Sequence, residues 1–215
     1  MKKLTFNKVR LAVAVCAAGL LLGAISLNAE PVNIAGGYTT IDMGVNLASK
    51  LAAGSNSLNI NGVSGATISL DTGFRVDAVF GYGIKLSDQV NLAPELEIGC
   101  LYNQLNQATG GGKSSSVGGE FVQVPFMVNG DFHFMVTREL VLYAGGGVGV
   151  DCMFLSANAG VLGGEADFAW QAFCGVQYKV GAGELGVGYK ILETKPNGCN
   201  LIANNTIALS YTFHF

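Results

Sequence analysis

Glu95 and Glu97 stand two residues apart in APELEIG, and paired carboxylates are the first arrangement in this 215-residue chain that could do chemistry. Two carboxyl groups in unlike environments can serve as general acid and general base. A spacing of two, however, sets both on one face of an extended segment, as it does Arg75 and Asp77 in GFRVDA. A charge network is therefore expected there rather than a catalytic pair. The chain has two histidines, His133 and His214, both near tight turns and on the polar alternation of their segments, whereas a lipid-modifying Ser/His site would need its histidine near the outer loops. Gly112-Lys113-Ser114 ends like a phosphate-binding loop, but Gln107 stands where that motif needs its first glycine and no helical pattern follows. The surrounding TGGGKSSSVGG reads as a flexible loop. GGGVG at Gly145 to Gly149 lacks dinucleotide-site spacing and lies inside an extended segment, where glycine marks close packing. The histidines and Cys100, Cys152, Cys174 and Cys199 form no ligand-spaced cluster, so no metal, cofactor or catalytic residue is expected.

The elements that must position these residues are strands. Lys2, Lys3, Lys8 and Arg10 precede an uncharged run from Leu11 to Leu27, and the segment closes on Ala29 before Glu30-Pro31. Residues 1–29 read as a cleaved secretory signal peptide, leaving 30–215 as one domain. The signal takes four of the twelve basic residues and none of the fifteen acidic ones, so the remainder has a formal charge of −7. An acidic chain argues against nucleic acid as a partner. Beyond the signal, charges and glycines interrupt every apolar stretch, so any membrane crossing must use strands.

Period-two alternation recurs in eight segments: TTIDMGVNL, GFRVDAVFGYGI, VNLAPELEIGCLY, VQVPFMVNGDFHF, LVLYAGGGVGVDC, FAWQAFCGVQYKV, ELGVGYKIL and TIALSYTFHF. Short links near Ser87–Gln89, Met135–Glu139 and Gly181–Gly183 alternate with long polar ones near Ser49–Ile68, Gln104–Gly118, Leu155–Ala166 and Thr194–Asn205. That rhythm predicts an all-β fold, an eight-stranded antiparallel up-and-down transmembrane β-barrel. Aromatics sort toward the segment ends, as two membrane interfaces require: Tyr38, Tyr82, Phe132, Tyr178, Phe213 and Phe215 toward the short turns, and Tyr102, Phe168, Trp170 and Tyr189 toward the long links. Tyr143 falls on the wrong alternation unless a bulge shifts the register.

The C-terminal ALSYTFHF resembles the sorting signal of bacterial outer-membrane barrels, with Tyr211, Phe213 and Phe215 in the matching alternate positions. YAGGGVGV followed by FAWQAFCGVQYKV is similar to the fifth and sixth strands of small OmpA-like and opacity-protein-like barrels. The resemblance implies residence in the bacterial outer membrane, among outer-membrane lipid and lipopolysaccharide, and recognition of the closing strand by the barrel-assembly machinery. With Phe215 closing the barrel, no peptidoglycan-binding domain is expected to follow.

Asp42, Arg75, Asp77, Glu95, Glu97 and Lys190 lie on the polar alternation and are expected to form a charge network in the lumen, with Arg75 leaning over Gly99 toward Glu97 and Lys190 crossing Ala208 toward Asp42. Four acids against two bases call for ordered water or a carboxyl that keeps its proton. At most one disulfide is expected, with Cys174 a free thiol on the lipid face. The resulting expectation is a non-enzymatic, monomeric barrel with a structural or surface-interaction role through its long loops. Its surface ligand is unspecified, and a narrow pore or small-molecule conduit is the alternative.

Overall fold

The computed structural model describes residues 35–47, 50–52, 67–157, 160–195 and 202–215. The signal segment 1–29, much of the first long link and Cys199 lie outside the described residues. Eight long antiparallel strands form a ring: β1 (Gly36–Leu47), β4 (Gly73–Lys85), β5 (Val90–Gly110), β7 (Gly119–Met135), β8 (Leu140–Ala157), β9 (Gly160–Val180), β10 (Gly183–Thr194) and β11 (Ile202–His214). Each pairs with the next, and β11 returns to β1 in unbroken register from Tyr38 opposite His214 to Leu47 opposite Asn205. Three short strands, β2 (Lys50–Ala52), β3 (Thr67–Leu70) and β6 (Lys113–Ser116), flank the ring at its long-loop end. Closure leaves the eight ring strands without a free edge, which is what lets a sheet sit in lipid.

The short turns repeat one piece of chemistry. Ser87 Oγ accepts from Gln89 N at 3.3 Å and Val90 N at 3.1 Å, and Thr137 Oγ1 accepts from Glu139 N at 3.2 Å and Leu140 N at 3.0 Å. A hydroxyl at the same turn position thus substitutes for a missing backbone partner in both. The exposed Lys85–Asp88 pair, 2.7 Å apart, also spans the first turn and holds the Asp88 carboxyl below its ordinary range. The third turn has Gly181 at φ +63°, the left-handed conformation that tight hairpins demand.

Alternation sorts the two faces. Phe80, Leu96, Ile98, Phe126, Val128, Val148, Phe168, Val187, Ile207 and Leu209 point out of the ring and are exposed, while Arg75, Asp77, Glu95, Glu97, Asn129, Gln171 and Lys190 are buried inside it. This is the inverse of a water-soluble barrel and matches an exterior solvated by hydrocarbon. Tyr102 and Tyr189 turn their hydroxyls to Glu120 and Asn205 at the long-loop end, with Phe74 stacked on Tyr102 at 5.4 Å between ring centroids. Cys100, Cys152 and Cys174 are free thiols.

Three sequence expectations are corrected. Tyr38 is not an interface aromatic: it shares its alternation with Asp42, is 2% exposed and lies in the lumen. Tyr143 needs no bulge, because it also turns inward, into the room that Gly175 and Gly188 leave by having no side chain. The links at 104–118 and 155–166 are largely strand: β5 runs to Gly110 and meets β6 through Gly111 and Gly112, at φ +55° and +74°, while β8 and β9 continue to Ala157 and from Gly160. Their Gly- and Ser-rich composition hid strands held by backbone pairing.

Candidate functional site

The lumen is filled by polar side chains in three tiers. In the middle tier, β4 presents Arg75 and Asp77 and β5 presents Glu97, with Arg75 paired to Leu101 and Ile84 to Leu92 in the β4–β5 register. Arg75 Nε donates to Asp77 Oδ2 at 2.7 Å and its terminal nitrogen donates to Glu97 Oε1 at 2.7 Å and to Gln171 Oε1 at 3.1 Å. Lys190 Nζ donates to Asp42 Oδ2 at 3.3 Å, Asp77 Oδ2 at 3.0 Å and Glu97 Oε1 at 3.1 Å, and stands 5.6 Å from the centre of the Phe173 ring. Asn129 and Gln171 close the tier by donating to Glu97 Oε2 at 3.0 Å and 2.9 Å. Three carboxylates thus converge on two buried cations, with Asp77 and Glu97 buried and Asp42 half-buried. Such an arrangement holds only while every member keeps its partners.

Glycines on β8 make this tier possible. A side chain at Gly145 would collide with the Phe173 ring, and one at Gly147 with the Asn129 amide. The GGGVG run therefore provides space for bulkier residues on neighbouring strands to cross the lumen.

Glu95 stands apart from the ion pairs. Its partners are neutral: Tyr38 OH donates to Oε1 at 2.6 Å, and Asn129 Nδ2 lies 3.4 Å from Oε2. It belongs to a second tier, nearer the short turns, with Asp131 and His133, whose Oδ2 and Nε2 are 2.7 Å apart. Each of Glu95, Asp131 and His133 places a donor atom within 4.8 Å of the other two. The sequence reading found no ligand-spaced cluster here; the structure brings one together across β5 and β7. Asp131-Phe132-His133 was a visible signal, since a spacing of two shares a face, but the diagonal neighbour on β5 depends on a register that sequence spacing does not give. A cavity of about 40 Å³ adjoins these residues and reaches Asp42, Tyr143 and Lys190.

The third tier lies toward the long loops. Asn46 donates to Asn103 at 2.8 Å and Asn204 at 3.0 Å, Asn204 donates to Gln123 at 2.9 Å, and Asp151 accepts from Gln123 at 2.6 Å and Thr194 at 2.9 Å. The closing strand contributes Asn204 to this tier and, at its short-turn end, turns Phe213 outward. Tyr211 meets Phe213 edge-on at 4.5 Å between centroids, and Phe215 N donates to Gly37 O at 3.0 Å, its ring lying over Gly37.

No family model matches the chain, and no curated protein matches it. Solved structures do match. Neisserial surface protein A is 15% identical, with 84% of this chain and 98% of that one aligned and a TM-score of 0.54. The outer membrane protein OprG from Pseudomonas aeruginosa is 16% identical, with 84% and 98% aligned and a TM-score of 0.51. With its closed ring, apolar exterior and polar lumen, the chain has the fold of the small eight-stranded β-barrels of the bacterial outer membrane.

Proposed function

We propose that this protein is a non-enzymatic barrel whose lumen is plugged by the Asp42–Arg75–Asp77–Glu97–Lys190 network and which acts at the cell surface through its long-loop end. The observation that carries the reading is the sharing of two buried cations among three carboxylates across the middle of the ring, with a cavity of only about 40 Å³ beside them. Roughly eight strands enclose a space that side chains can fill. Four strands support the surface role by running well past the lipid. β5 and β9 each have 21 residues, where a tilted crossing needs about 9 to 11. Lipid and lipopolysaccharide surround the apolar band in this reading, and Tyr211, Phe213 and Phe215 present the closing strand to the assembly machinery. Both histidines lie at the short-turn end, away from the outer leaflet where a lipid-modifying site would work.

Two measurements test the two halves of this reading. Purified barrel in planar bilayers is expected to show no stepwise opening, and regular steps would establish the conduit alternative instead. On intact cells, replacing residues 106–117 with a short Gly-Ser link is expected to abolish binding to an array of host glycans and matrix proteins while leaving the heat-modifiable band unchanged. Equal binding with and without the hairpin would remove the surface role from this end.

A further inference from the structure

We propose that Glu95, Asp131 and His133 form a binding site for a divalent transition metal of the zinc class, inside the lumen near the short turns. Asp131 and His133 leave β7 on the same face, and Glu95 approaches from β5, one rung off, because Asp131 pairs with Ala93 and Glu95 with Asn129. One donor atom from each lies within 4.8 Å of the other two. A tetrahedral ion about 2.0–2.2 Å from an imidazole nitrogen and two carboxylate oxygens brings such donors to about 3.3–3.6 Å of one another, so binding would draw the three side chains together by rotamer adjustment.

The second observation is unspent coordinating capacity. Asp131 Oδ1 and His133 Nδ1 are buried without a hydrogen-bond partner, in residues 4% and 3% exposed, and both residues line the cavity. Buried polar atoms are ordinarily paired, so each of these two residues keeps coordinating capacity that its protein neighbours do not use. The ion pairs of Arg75 and Lys190 go to Asp42, Asp77 and Glu97, and among the described residues the side-chain hydrogen bonds of Glu95 and Asp131 go to Tyr38, Asn129 and His133. A divalent ion would balance two carboxylates.

The donor set selects the class. One imidazole and two carboxylates suit borderline ions such as Zn²⁺, whereas Ca²⁺ and Mg²⁺ ask for six or more oxygens. The cavity of about 40 Å³ has room for a water as fourth ligand. Tyr38, donating to Glu95 at 2.6 Å, would hold that carboxylate in position. The ion would tie β5 to β7 near the short turns, at the end of the barrel that also holds the His214–Glu184 pair.

The test uses the full tag-free barrel carrying His214→Gln, which leaves His133 as its sole histidine. After chelator treatment and one equivalent of Zn²⁺, elemental analysis of desalted protein should find one zinc per chain, and zinc-edge absorption should show one imidazole with oxygen ligands. In the same background Glu95→Gln and His133→Gln should each weaken retention at least hundredfold, and Tyr38→Phe by about tenfold. Absence of retained zinc, an absorption spectrum without imidazole, or equal retention in His133→Gln would each overturn the assignment. Should the two ligand variants lose the heat-modifiable band, the spectrum of the His214→Gln barrel decides alone.

Discussion

Along four strands the interior of the barrel changes character within a single step. The third tier of the lumen presents Asn103, Gln123, Asp151 and Asn204; two residues further out on the same strands stand Leu105, Phe121, Met153 and Ile202, packed with Ile68, Leu70, Ala108 and Val117. The exterior changes in the opposite sense, from exposed Leu96 and Ile98 to exposed Gln104, Asn106 and Gln107 on β5. Where lipid surrounds the ring, apolar groups gain nothing by turning inward, and inside–outside specificity comes from polar side chains that need one another. Beyond the lipid, water drives the apolar groups back inside. The two regions are one sheet built for two solvents.

A bulge manages part of that change. Ile68 pairs with Ala108 and Ser69 with Gln107, but Leu70 pairs with Leu105, so Asn106 is an extra residue on β5. Its side chain donates to Asp71 at 2.6 Å and its carbonyl accepts from Val117 N at 3.0 Å. The extra residue shifts the alternation by one and turns Ala108 inward rather than Gln107.

The largest effect expected from breaking this comparison is in the polar region. Arg75→Ala removes the bonds to Asp77, Glu97 and Gln171 and leaves Asp77 and Glu97 with Lys190 as their remaining cation, which should cost about 3–5 kcal/mol. The single tryptophan, Trp170, lies on the lipid face and reports unfolding in urea. An unchanged midpoint would show that Arg75 does not anchor the plug. Phe121→Ala comes next, at about 3 kcal/mol by cavity formation. Its effect should be confined to the outer extension: faster proteolysis of the β5–β6 hairpin with unchanged Trp170 emission. A loss of global stability as large as that of Arg75→Ala would make the two regions one cooperative unit. The exterior is probed by charge. Leu96→Lys, in the apolar band, should destabilise by about 2 kcal/mol or more, whereas Gln104→Lys on the same strand face should leave the urea midpoint within error.

Much of the lipid-bounded region was legible in the sequence because period two is a strong signal where one face meets hydrocarbon. The eight segments, the inward parity of Arg75, Glu97 and Lys190 and the outward parity of Phe168 and Leu209 all follow from it. Tyr38 was misassigned because its residue type suggested an interface while its alternation, shared with Asp42, put it inside. The outer extension was hidden because GGGKSSS has neither apolar alternation nor bulk, and its strands are held by backbone bonds and a β-bulge. Glu95, Asp131 and His133 were visible as residues but not as neighbours, since the diagonal across β5 and β7 depends on register.

The boundary between the two solvents can be located with native cysteines. Cys100 and Gln104 lie on the same outward face of β5, four residues apart, about 13 Å along the strand. In barrel reconstituted into liposomes and carrying Cys152→Ser and Cys199→Ser, Cys100 and Cys174 should resist a membrane-impermeant maleimide until detergent is added, while adding Gln104→Cys should give one rapidly labelled site. Labelling of Cys100 as fast as the site introduced by Gln104→Cys would place water where the account puts lipid and would contradict it.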